Sequence, residues 1–575
     1  MKISELLTQV RGDMTGASAF FALLEIAANL KTDTYQSTEL HFLNRSRHPE
    51  TLHLLEGAAK VLNEANRDTR FSSIMAFLDG ATDHMIGEFW IHRDACDQIL
   101  NLVDQASTVR FSFSNALRPC LTYAYRSDIA GKQSRLSFCS INAEHGHILH
   151  NILDVLEVGT PISIETAWPW QRSEHDMSQV EVSFPAFGAN MTNTDGVPLA
   201  TLSGLGLREA KNARLSMESL AIADALEHTK GKVIMSVSDG ALFRMVGTEP
   251  VARRNLLDSG RLQAVMSVPT GMMFTHTTIK TNILVLNKPD TLREQVRFAD
   301  LGHASLAQKG HRNRFDVEKD VNWANVLTSD TPEDRTLLRD IEYDEILENN
   351  VVLLPDRYLN VGAKERLDLF LEQSDVAELE ELVEMIRPTS LTQDEDGEYT
   401  LFEASPSDLN ERGFIGHPGR AITVERAKYN KAFNQQLRPG DVLLSIKGNV
   451  GVVAMVPPDV PKEGEAEIWT AGQSMMILRP KKRVSMSSLA LYEYLTNATV
   501  QEFLRSLAGG SAIQNLAMKD LKSFPVVMPD EETIERVKAG FDERQAIFDQ
   551  IAELQKQLLD VRDQGWPHLH LKKGG

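Results

Sequence analysis

The spacing of apolar residues changes character along the chain. Residues 1–105 contain segments such as ASAFFALLEIAANL and HLLEGAAKVLNEA, where apolar residues recur at spacings of three and four. This spacing, with good helix formers in between, predicts a helical N-terminal domain. In residues 106–290, β-branched runs such as GKVIMSVS and KTNILVLN alternate with helical stretches such as SMESLAIADALEHT. That alternation predicts an α/β domain with a mainly parallel sheet flanked by helices.

The second half of the chain shows three further patterns. Residues 291–400 are polar and acidic and predict a connector of helices and loops, whereas residues 401–530 place Gly and Pro between short strands and predict a compact β-rich domain. Residues 531–575 predict a long amphipathic helix followed by a tail. Its heptad positions are Ile534, Val537, Phe541, Arg544, Phe548, Ile551, Gln555 and Leu558. Six of these eight are apolar, which suits either a coiled-coil arm or a helix packed on its own chain.

Composition narrows the class of protein. A chain of 575 residues suits two to four domains, and 42% hydrophobic residues provide for real cores. No apolar run reaches membrane-spanning length, and the N-terminus lacks a signal-peptide layout. Cys96, Cys120 and Cys139 have no metal-ligand spacing and are expected to be buried thiols in a reducing cytoplasm. The net charge of −20 argues against nonspecific coating of nucleic acid but allows a local basic groove.

One stretch, residues 217–288, resembles the modification subunit of type I restriction systems, which is an N-6 adenine DNA methylase. Twelve residues fall into that family's pattern in order: Gly231, Gly240, Leu242, Phe243, Arg254, Leu256, Leu257, Val265, Pro269, Phe274, Thr278 and Thr281. The resemblance implies a Rossmann-like methyltransferase fold that binds S-adenosylmethionine (AdoMet) upstream of this stretch.

The upstream positions depart from the family at the expected cofactor pocket. The family's G-E-F-Y-T-P-R segment reads GEFWIHR here and retains Glu88 and Phe89. The glycine loop D-P-A-C-G-S-G-G reads FSFSNALR, around Asn115, without a glycine. Ser140 replaces the acid that would bind the ribose hydroxyls, and Glu165 keeps a carboxylate after the next strand. We therefore expect a degenerate pocket and no cofactor.

The catalytic position has also changed. The adenine-N6 methylases that this chain resembles share an N-P-P-[FY] motif, whose Asn side chain accepts a hydrogen bond from the amino group of the flipped base. Here the segment is Phe184, Pro185, Ala186 and Phe187, and Phe184 offers no acceptor. The expected protein is a pseudo-methyltransferase. The alternative is an active AdoMet-dependent adenine-N6 methyltransferase with a divergent pocket.

Residues 437–529 resemble one half of a type I specificity subunit, through LRPGDVLLSIKGNVGVVAMV and the closing LKSFPVVMPDEETIERV. In that family the β domain reads base edges in double-stranded DNA, and a final helix spaces two such readers. The candidate DNA-binding residues are Lys447, Asn449, Gln473, Lys481, Lys482, Gln514 and Lys519. A third hypothesis, favoured by the acidic net charge, is a scaffold that binds protein rather than DNA.

Together these patterns predict an α/β multidomain, DNA-recognising subunit of a restriction-modification-like, anti-phage assembly. The chain contains only one domain of the specificity-subunit type. We therefore expect it to associate through the C-terminal helix, either with a second copy of itself or with other subunits, such as a methylase, a motor or a nuclease. No metal site and no membrane contact are expected.

Overall fold

The structure is a computed structural model that consists of two compact units, the first ending at residue 360 and the second beginning at residue 361. It describes residues 14–564 except 32–39, 43–48, 81–83, 88, 172–177, 192–195, 208–214, 275–278, 292, 310–314, 331–333, 360–366, 369–370, 373, 395–396, 462–466, 482–485 and 509–514.

The first unit begins with helices. The sequence GASAFFALLEIAANLK forms α1, whose run of Ala, Leu and Phe is almost entirely buried. Its N-terminus is capped by the Thr15 hydroxyl, which accepts a hydrogen bond from the Ser18 amide at 3.2 Å. The helices of this part are α1 (Gly16–Lys31), α2 (Pro49–Glu64), α3 (Arg67–Gly80), α4 (His84–Gly87) and α5 (Arg93–Val103).

A nine-stranded sheet forms the centre of the first unit, with the order β13-β10-β8-β9-β7-β4-β1-β2-β3. Strands β7, β4, β1, β2 and β3 pair in parallel, and β9 is inserted antiparallel between β7 and β8. The strands of this sheet are β1 (Thr108–Ser112), β2 (Arg135–Cys139), β3 (Ile162–Glu165), β4 (Val180–Ser183), β7 (Lys232–Ser238), β8 (Leu262–Val268), β9 (Thr281–Leu286), β10 (Gln295–Asp300) and β13 (Leu338–Glu342). Of the β-branched runs, KTNILVLN forms β9, which is buried throughout, and GKVIMSVS forms β7, which is buried except at its two end residues.

Helices and two small ribbons surround the sheet. The helices are α6 (Leu117–Ile129), α7 (Ala143–Val155), α8 (Leu199–Ser203), α9 (Met217–His228), α10 (Asp239–Phe243), α11 (Glu249–Asp258), α12 (Trp323–Thr328), α13 (Tyr343–Glu348) and α14 (Pro355–Leu359). The ribbons pair β5 (Asn190–Met191) with β6 (Leu215–Ser216), and β11 (Ala307–Lys309) with β12 (Phe315–Val317). The predicted α/β class with N-terminal helices is confirmed.

The sheet continues beyond residue 290, where the sequence predicted the end of the α/β domain. Strand β10 pairs in parallel with β8, and β13 closes the sheet by pairing antiparallel with β10. The acidic stretch after residue 290 therefore contributes two strands to the core of the first unit, where Val296, Phe298 and Ile341 are fully buried.

The second unit contains a four-stranded sheet, β15-β21-β18-β19, and a three-stranded sheet, β17-β16-β20. The strands are β14 (Val376–Glu378), β15 (Val383–Ile386), β16 (Tyr399–Ala404), β17 (Arg420–Val424), β18 (Val442–Ser445), β19 (Val453–Met455), β20 (Ile468–Ala471), β21 (Met475–Pro480) and β22 (Pro525–Val527). The helices are α15 (Leu379–Leu382), α16 (Arg426–Ala432), α17 (Ser488–Thr496), α18 (Ala498–Ser506), α19 (Met518–Lys522) and α20 (Glu531–Gln564).

The last helix, α20, has 34 residues and is therefore about 51 Å long. The Asp530 side chain caps its N-terminus by accepting a hydrogen bond from the Thr533 amide at 2.8 Å. Phe541 packs edge-on against Phe414 at 5.9 Å between ring centroids, and Arg412 pairs with Asp549 at 2.7 Å. All described residues from Ile551 onward are exposed. The first part of α20, as far as Asp549, thus contacts its own unit, whereas residues 551–562 are exposed.

Among the described residues, Cys96, Cys120 and Cys139 are buried free thiols. No described helix combines the length and apolar character that crossing a membrane requires. The described part of the chain also contains no cluster of His, Cys, Asp and Glu that would hold a metal ion.

Candidate functional site

Three loops of the first unit meet at one edge of its sheet. Because β1 lies between β2 and β4 and all three run parallel, the loops that follow them emerge side by side at their carboxyl ends. The carboxyl edge of a parallel sheet is where α/β proteins hold their ligands. Of the sequence-predicted pocket and catalytic residues, Asn115, Ser140 and the segment 184–187 follow these three strands and Glu165 ends β3, so the structure brings these residues to one edge.

The loop after β1 keeps an unusual backbone conformation at Phe113. Its φ is +73° and its ψ is 163°, a combination that is essentially restricted to glycine. Ser114–Ala116 then forms one turn of 3-10 helix, and α6 starts at Leu117, which is fully buried. The loop therefore follows a glycine-type path, but side chains fill the space that a glycine loop leaves open.

Arg118 is the bulkiest of these side chains and is 1% exposed. Its guanidinium forms an ion pair with Asp79 and donates to the Ile91 carbonyl at 2.9 Å. It also lies over the Trp90 ring, 4.8 Å from the centroid, and the Trp90 indole donates to Asp79 at 2.9 Å. The segment that resembles the family's cofactor-adjacent motif is thus held against the β1 loop by the buried Arg118 and Trp90, which share the partly exposed carboxylate of Asp79.

The loop after β2 joins the β1 loop directly. The Ser140 hydroxyl lies 3.0 Å from that of Ser114 and accepts a hydrogen bond from the Asn142 amide at 3.1 Å. Ser140 is 2% exposed and offers no carboxylate. Glu165, at the end of β3, is half-buried, and the Ser163 hydroxyl donates to its carboxylate at 3.4 Å. Asn115 is half-buried, and Glu88 lies outside the described residues.

An uncharged histidine lies behind these loops. The His145 ring is 4.5 Å from the buried Phe89 ring, and its Nε2 is 3.3 Å from the Asn142 amide nitrogen. Burial lowers the pKa of His145 to about 4, although the neighbouring Glu144 opposes this shift. His145 is therefore neutral at physiological pH.

The loop after β4 carries residues 184–187, which the sequence analysis aligned with the catalytic motif. Phe184 is buried at 3% exposure, and its amide donates to the Ser112 carbonyl at 3.1 Å. Pro185 is buried and Ala186 is exposed, while the half-buried Phe187 lies edge-on to Phe274 at 5.8 Å. Phe187 thus retains the aromatic ring of the N-P-P-[FY] motif, but the buried, apolar side chain of Phe184 stands where the motif has the side-chain amide of Asn.

Glu218 fixes the end of this loop. Its carboxylate accepts hydrogen bonds from the Gly188 amide at 3.0 Å and from the Ser238 amide at 2.6 Å. Burial raises the pKa of Glu218, and these hydrogen bonds oppose the shift. Glu218 therefore connects the loops after β4 and β7. The sequence motifs did not single it out, because its partners are 30 and 20 residues away.

A second candidate site lies at one end of the four-stranded sheet in the second unit. The Ile446 amide donates to the Ser474 carbonyl at 2.7 Å, and the backbones of Lys447 and Asn515 pair in an isolated antiparallel β-bridge. These contacts bring the turn after β18, which carries Lys447 and Asn449, to the turn before β21, which carries Gln473. We call this end, formed by residues 446–451, 472–474 and 515–516, the rim.

Two glycines shape the first rim turn. Gly448 and Gly451 have φ values of +77° and +93°, which side-chain-bearing residues rarely adopt. Asn449 and Gln473 are exposed and Lys447 is half-buried. The rim therefore presents one cation and two amides to solvent from adjacent turns.

The remaining candidates divide between other places. Lys481 follows β21, whose six residues separate it from Gln473 by about 20 Å, and its ammonium donates to the Glu380 carbonyl at 2.7 Å. Lys519 is exposed on the first turn of α19. Lys482 and Gln514 lie outside the described residues. The structure thus unites three of the candidates and places Lys481 at the opposite end of the sheet.

Sequence reasoning missed Gln501 and Arg505, which α18 brings to the rim. The Gln501 side chain donates to the Gly451 carbonyl at 2.8 Å. No spacing in the sequence signals this contact across 50 residues.

Comparison with known families gives two adjoining matches. Residues 133–366 match the model of the N-6 DNA methylase family, and residues 372–560 match the type I restriction modification DNA specificity domain. Both resemblances predicted from the sequence are thereby confirmed. A comparison with curated protein sequences finds no significant match.

Solved structures of low sequence identity are also similar. One is the type I restriction-modification methyltransferase subunit from Streptococcus thermophilus, at 16% identity, covering 59% of this chain and 80% of that one with a TM-score of 0.42. Another is the type IIG restriction endonuclease BpuSI, at 10% identity, covering 93% and 74% with a TM-score of 0.41. A third is a type I specificity subunit from M. genitalium, at 19% identity, covering 33% and 45% with a TM-score of 0.22.

Proposed function

Because the chain has an N-6 DNA methylase domain followed by a type I restriction-modification DNA specificity domain, we propose that it is a DNA-recognising subunit whose methylase domain does not methylate. It acts in a restriction-modification-like assembly that defends the cytoplasm against foreign DNA. The observation that carries this proposal is the closed, glycine-free loop after β1, which Arg118 fastens to Asp79.

The residues at the carboxyl edge do not fit AdoMet. The loop whose backbone would have to approach the cofactor closely has no glycine between Ser112 and Arg118. Ser140 has no carboxylate for ribose hydroxyls, and its hydroxyl is already within hydrogen-bond distance of Ser114. Phe184 has no acceptor for an adenine amino group. Burying the charged groups of AdoMet without partners would cost several kcal/mol.

A second candidate function is an active methyltransferase with a divergent pocket. Three buried atoms near this edge have no hydrogen-bond partner among the described residues: Asn115 Oδ1, His145 Nδ1 and Trp170 Nε1. A polar ligand would satisfy such atoms. An active methyltransferase must bind AdoMet, whereas the proposed pseudo-methyltransferase does not bind it.

Calorimetric titration of the whole protein with AdoMet separates the two candidates. The pseudo-methyltransferase gives no saturable heat at micromolar concentrations and transfers no labelled methyl group to DNA. Saturable micromolar binding, or methyl transfer to adenine, would overturn the pseudo-methyltransferase and support the second candidate.

The rim is the proposed DNA-reading surface. Lys447 offers a phosphate contact, whereas the Asn449 and Gln473 amides have the donor and acceptor pair that matches base edges in the major groove. The local cation lets an acidic chain bind DNA, because long-range repulsion is screened beyond roughly 8 Å at physiological salt.

Charge reversal tests this surface. Lys447→Glu should weaken binding to duplex DNA and leave the melting temperature unchanged, whereas Lys481→Glu, at the opposite end of the sheet, should leave affinity unchanged. Equal effects of the two variants would remove the rim from the proposal. Absence of duplex binding by the wild-type protein would favour the protein-binding scaffold.

The distal half of α20 is the proposed contact with a second copy of the chain. Ile547, Ile551, Leu554, Leu558 and Val561 recur at spacings of four and three, and between 41% and 71% of each is exposed. Apolar residues at this spacing form coiled-coil seams, and two identical seams are complementary to each other in a twofold dimer. A dimer would supply the second reader that a bipartite DNA site needs.

Sedimentation of single variants tests the dimer. Leu558→Lys should shift the protein toward monomer, because it places a charge in the seam. Ala552→Lys adds the same charge on another face of the helix and should leave the dimer intact. A wild-type protein that sediments as a monomer contradicts the second copy and favours a different subunit as the partner.

A further inference from the structure

Helix α18 lies against the rim through one buried side chain. Gln501 is 8% exposed, and its side-chain nitrogen donates to the carbonyls of Gly451 at 2.8 Å and of Leu495 at 2.5 Å. Val500 and Leu504 on the same helix are fully buried in the core. The position of α18 beside the first rim turn is therefore fixed by packing and by hydrogen bonds.

Arg505 follows Gln501 by one helical turn and faces the same rim turn. A Cβ atom placed on Gly451 would lie 3.6 Å from the Arg505 Nε, so the guanidinium group passes close to the backbone of this turn. Gly451 leaves this space open because it has no side chain.

The Arg505 guanidinium has no carboxylate within ion-pair distance among the residues that the structure describes, and the side chain is exposed. Arg420, the other arginine at this end of the strands, differs because it pairs with Glu403 at 2.7 Å. Lys447 in the rim and Arg505 beside it are thus two cations that lack an ionic partner within the described chain. Both adjoin the turn that carries Asn449.

We propose that Arg505, beside the rim, binds a phosphate group. It anchors the DNA backbone while the turn that carries Asn449 faces the bases. The ligand is the phosphodiester of double-stranded DNA, because a guanidinium group presents donors in a fork that matches two phosphate oxygens. Arginine at such a contact sets register and affinity without reading sequence. This assignment rests on the proposed DNA-reading function.

Binding of the full-length protein to a duplex, measured across a salt series, tests the assignment. Arg505→Ala should weaken binding about fivefold at 0.15 M salt, because one phosphate contact contributes a salt dependence with an exponent of about −0.9. The slope of log affinity against log salt should fall by about one, equally for every duplex sequence. Arg505→Lys should retain most of the slope.

Arg426→Ala is the matched control. Arg426 is also exposed and begins α16, after the end of β17 that is remote from the rim. It should bind DNA like the wild type. Loss of affinity in both variants would indicate a general charge effect and overturn the assignment.

Two further outcomes are distinguishable. If Lys447→Glu weakens binding but Arg505→Ala changes neither affinity nor slope, the reader function stands and Arg505 is not a phosphate contact. If the wild-type protein binds no duplex, the proposed function itself fails. A change in affinity for only one duplex sequence would reassign Arg505 from phosphate to base contact.

Discussion

At the scale of single residues, the state of the methylase domain depends on what Arg118 contacts. The buried guanidinium has an ionic partner, a carbonyl acceptor and an aromatic face, and its Nε alone has no hydrogen-bond partner among the described residues. Its removal leaves a cavity and an unpaired Asp79 whose side chain is about two-thirds shielded from water.

Arg118→Ala should therefore lower the free energy of unfolding by about 3 kcal/mol. Arg93→Ala is the control, because Arg93 is 73% exposed and 4.0 Å from Asp97, an arrangement that contributes little. Urea unfolding followed by tryptophan fluorescence would measure both. A change below about 1 kcal/mol for Arg118→Ala would mean that the cluster does not hold the loop.

His145 predicts a pH dependence of stability. Its pKa in the folded state, about 4, lies below the unfolded value of about 6.5, so the unfolded chain binds more protons between these pH values. The contribution of His145 to stability is full above about pH 6.5 and is lost as the pH falls toward 4. His145→Gln should reduce this dependence, whereas His150→Gln, which changes an exposed ring, should not. Unfolding curves of the wild type and both variants at pH 4.5, 5.5 and 7 would measure this dependence.

The sequence shows where the chain departs from the family's motifs, but not which contacts surround those positions. The missing glycines, Ser140 and Phe184 are visible as substitutions within motifs of known order. The Asp79 partner of Arg118 is 39 residues away in a helix without a motif, so no local pattern indicates it. The same reason explains why Arg505 was missed: packing of α18 brings it to the turn.

At the scale of elements, the strands of the large sheet were predicted where their apolar runs are continuous, as in β7 to β9. The strands β10 and β13 were missed because their acidic surroundings resemble a solvated connector. Their place in the sheet depends on pairing with β8 and with each other, across 33 and roughly 43 residues. Strand pairing over such distances leaves no periodic signal.

Gly231 tests one of these pairings. A Cβ atom at Gly231 would lie 2.5 Å from the Ser178 carbonyl oxygen and would also collide with the Gln179 carbonyl, just where β4 and β7 begin to pair. Gly231→Ala should destabilise the fold by roughly 1–3 kcal/mol or more. Gly57→Ala should instead stabilise it by up to about 1 kcal/mol, because Gly57 lies within α2 and has nothing within 4 Å of its Cβ position. Thermal melts of the two variants should shift in opposite directions.

At the scale of the whole molecule, the two units have separate cores. One hydrophobic cluster runs from Met14 to Leu359, and the other clusters lie between Leu367 and Val526. The sequence placed the boundary of the reader near residue 400, but β14 to β15 already belong to the second unit because they pair with β22 and β21.

A fragment of residues 361–575 should therefore fold alone and bind duplex DNA. Circular dichroism should show one cooperative melt, and the affinity should fall steeply with salt. A fragment that starts at residue 401 lacks β15, an edge partner of β21, and should melt at a lower temperature. Equal melting temperatures of the two fragments would contradict this division of the chain.

The backbone at Phe113 has a consequence for redesign of the loop after β1. Its φ of +73° with ψ of 163° belongs to glycine, and holding a phenylalanine there costs of order 1–3 kcal/mol. The loop therefore combines a glycine-type backbone path with large side chains. Smaller side chains on this path would open space beside the carboxyl edge of the sheet without a change in the course of the backbone.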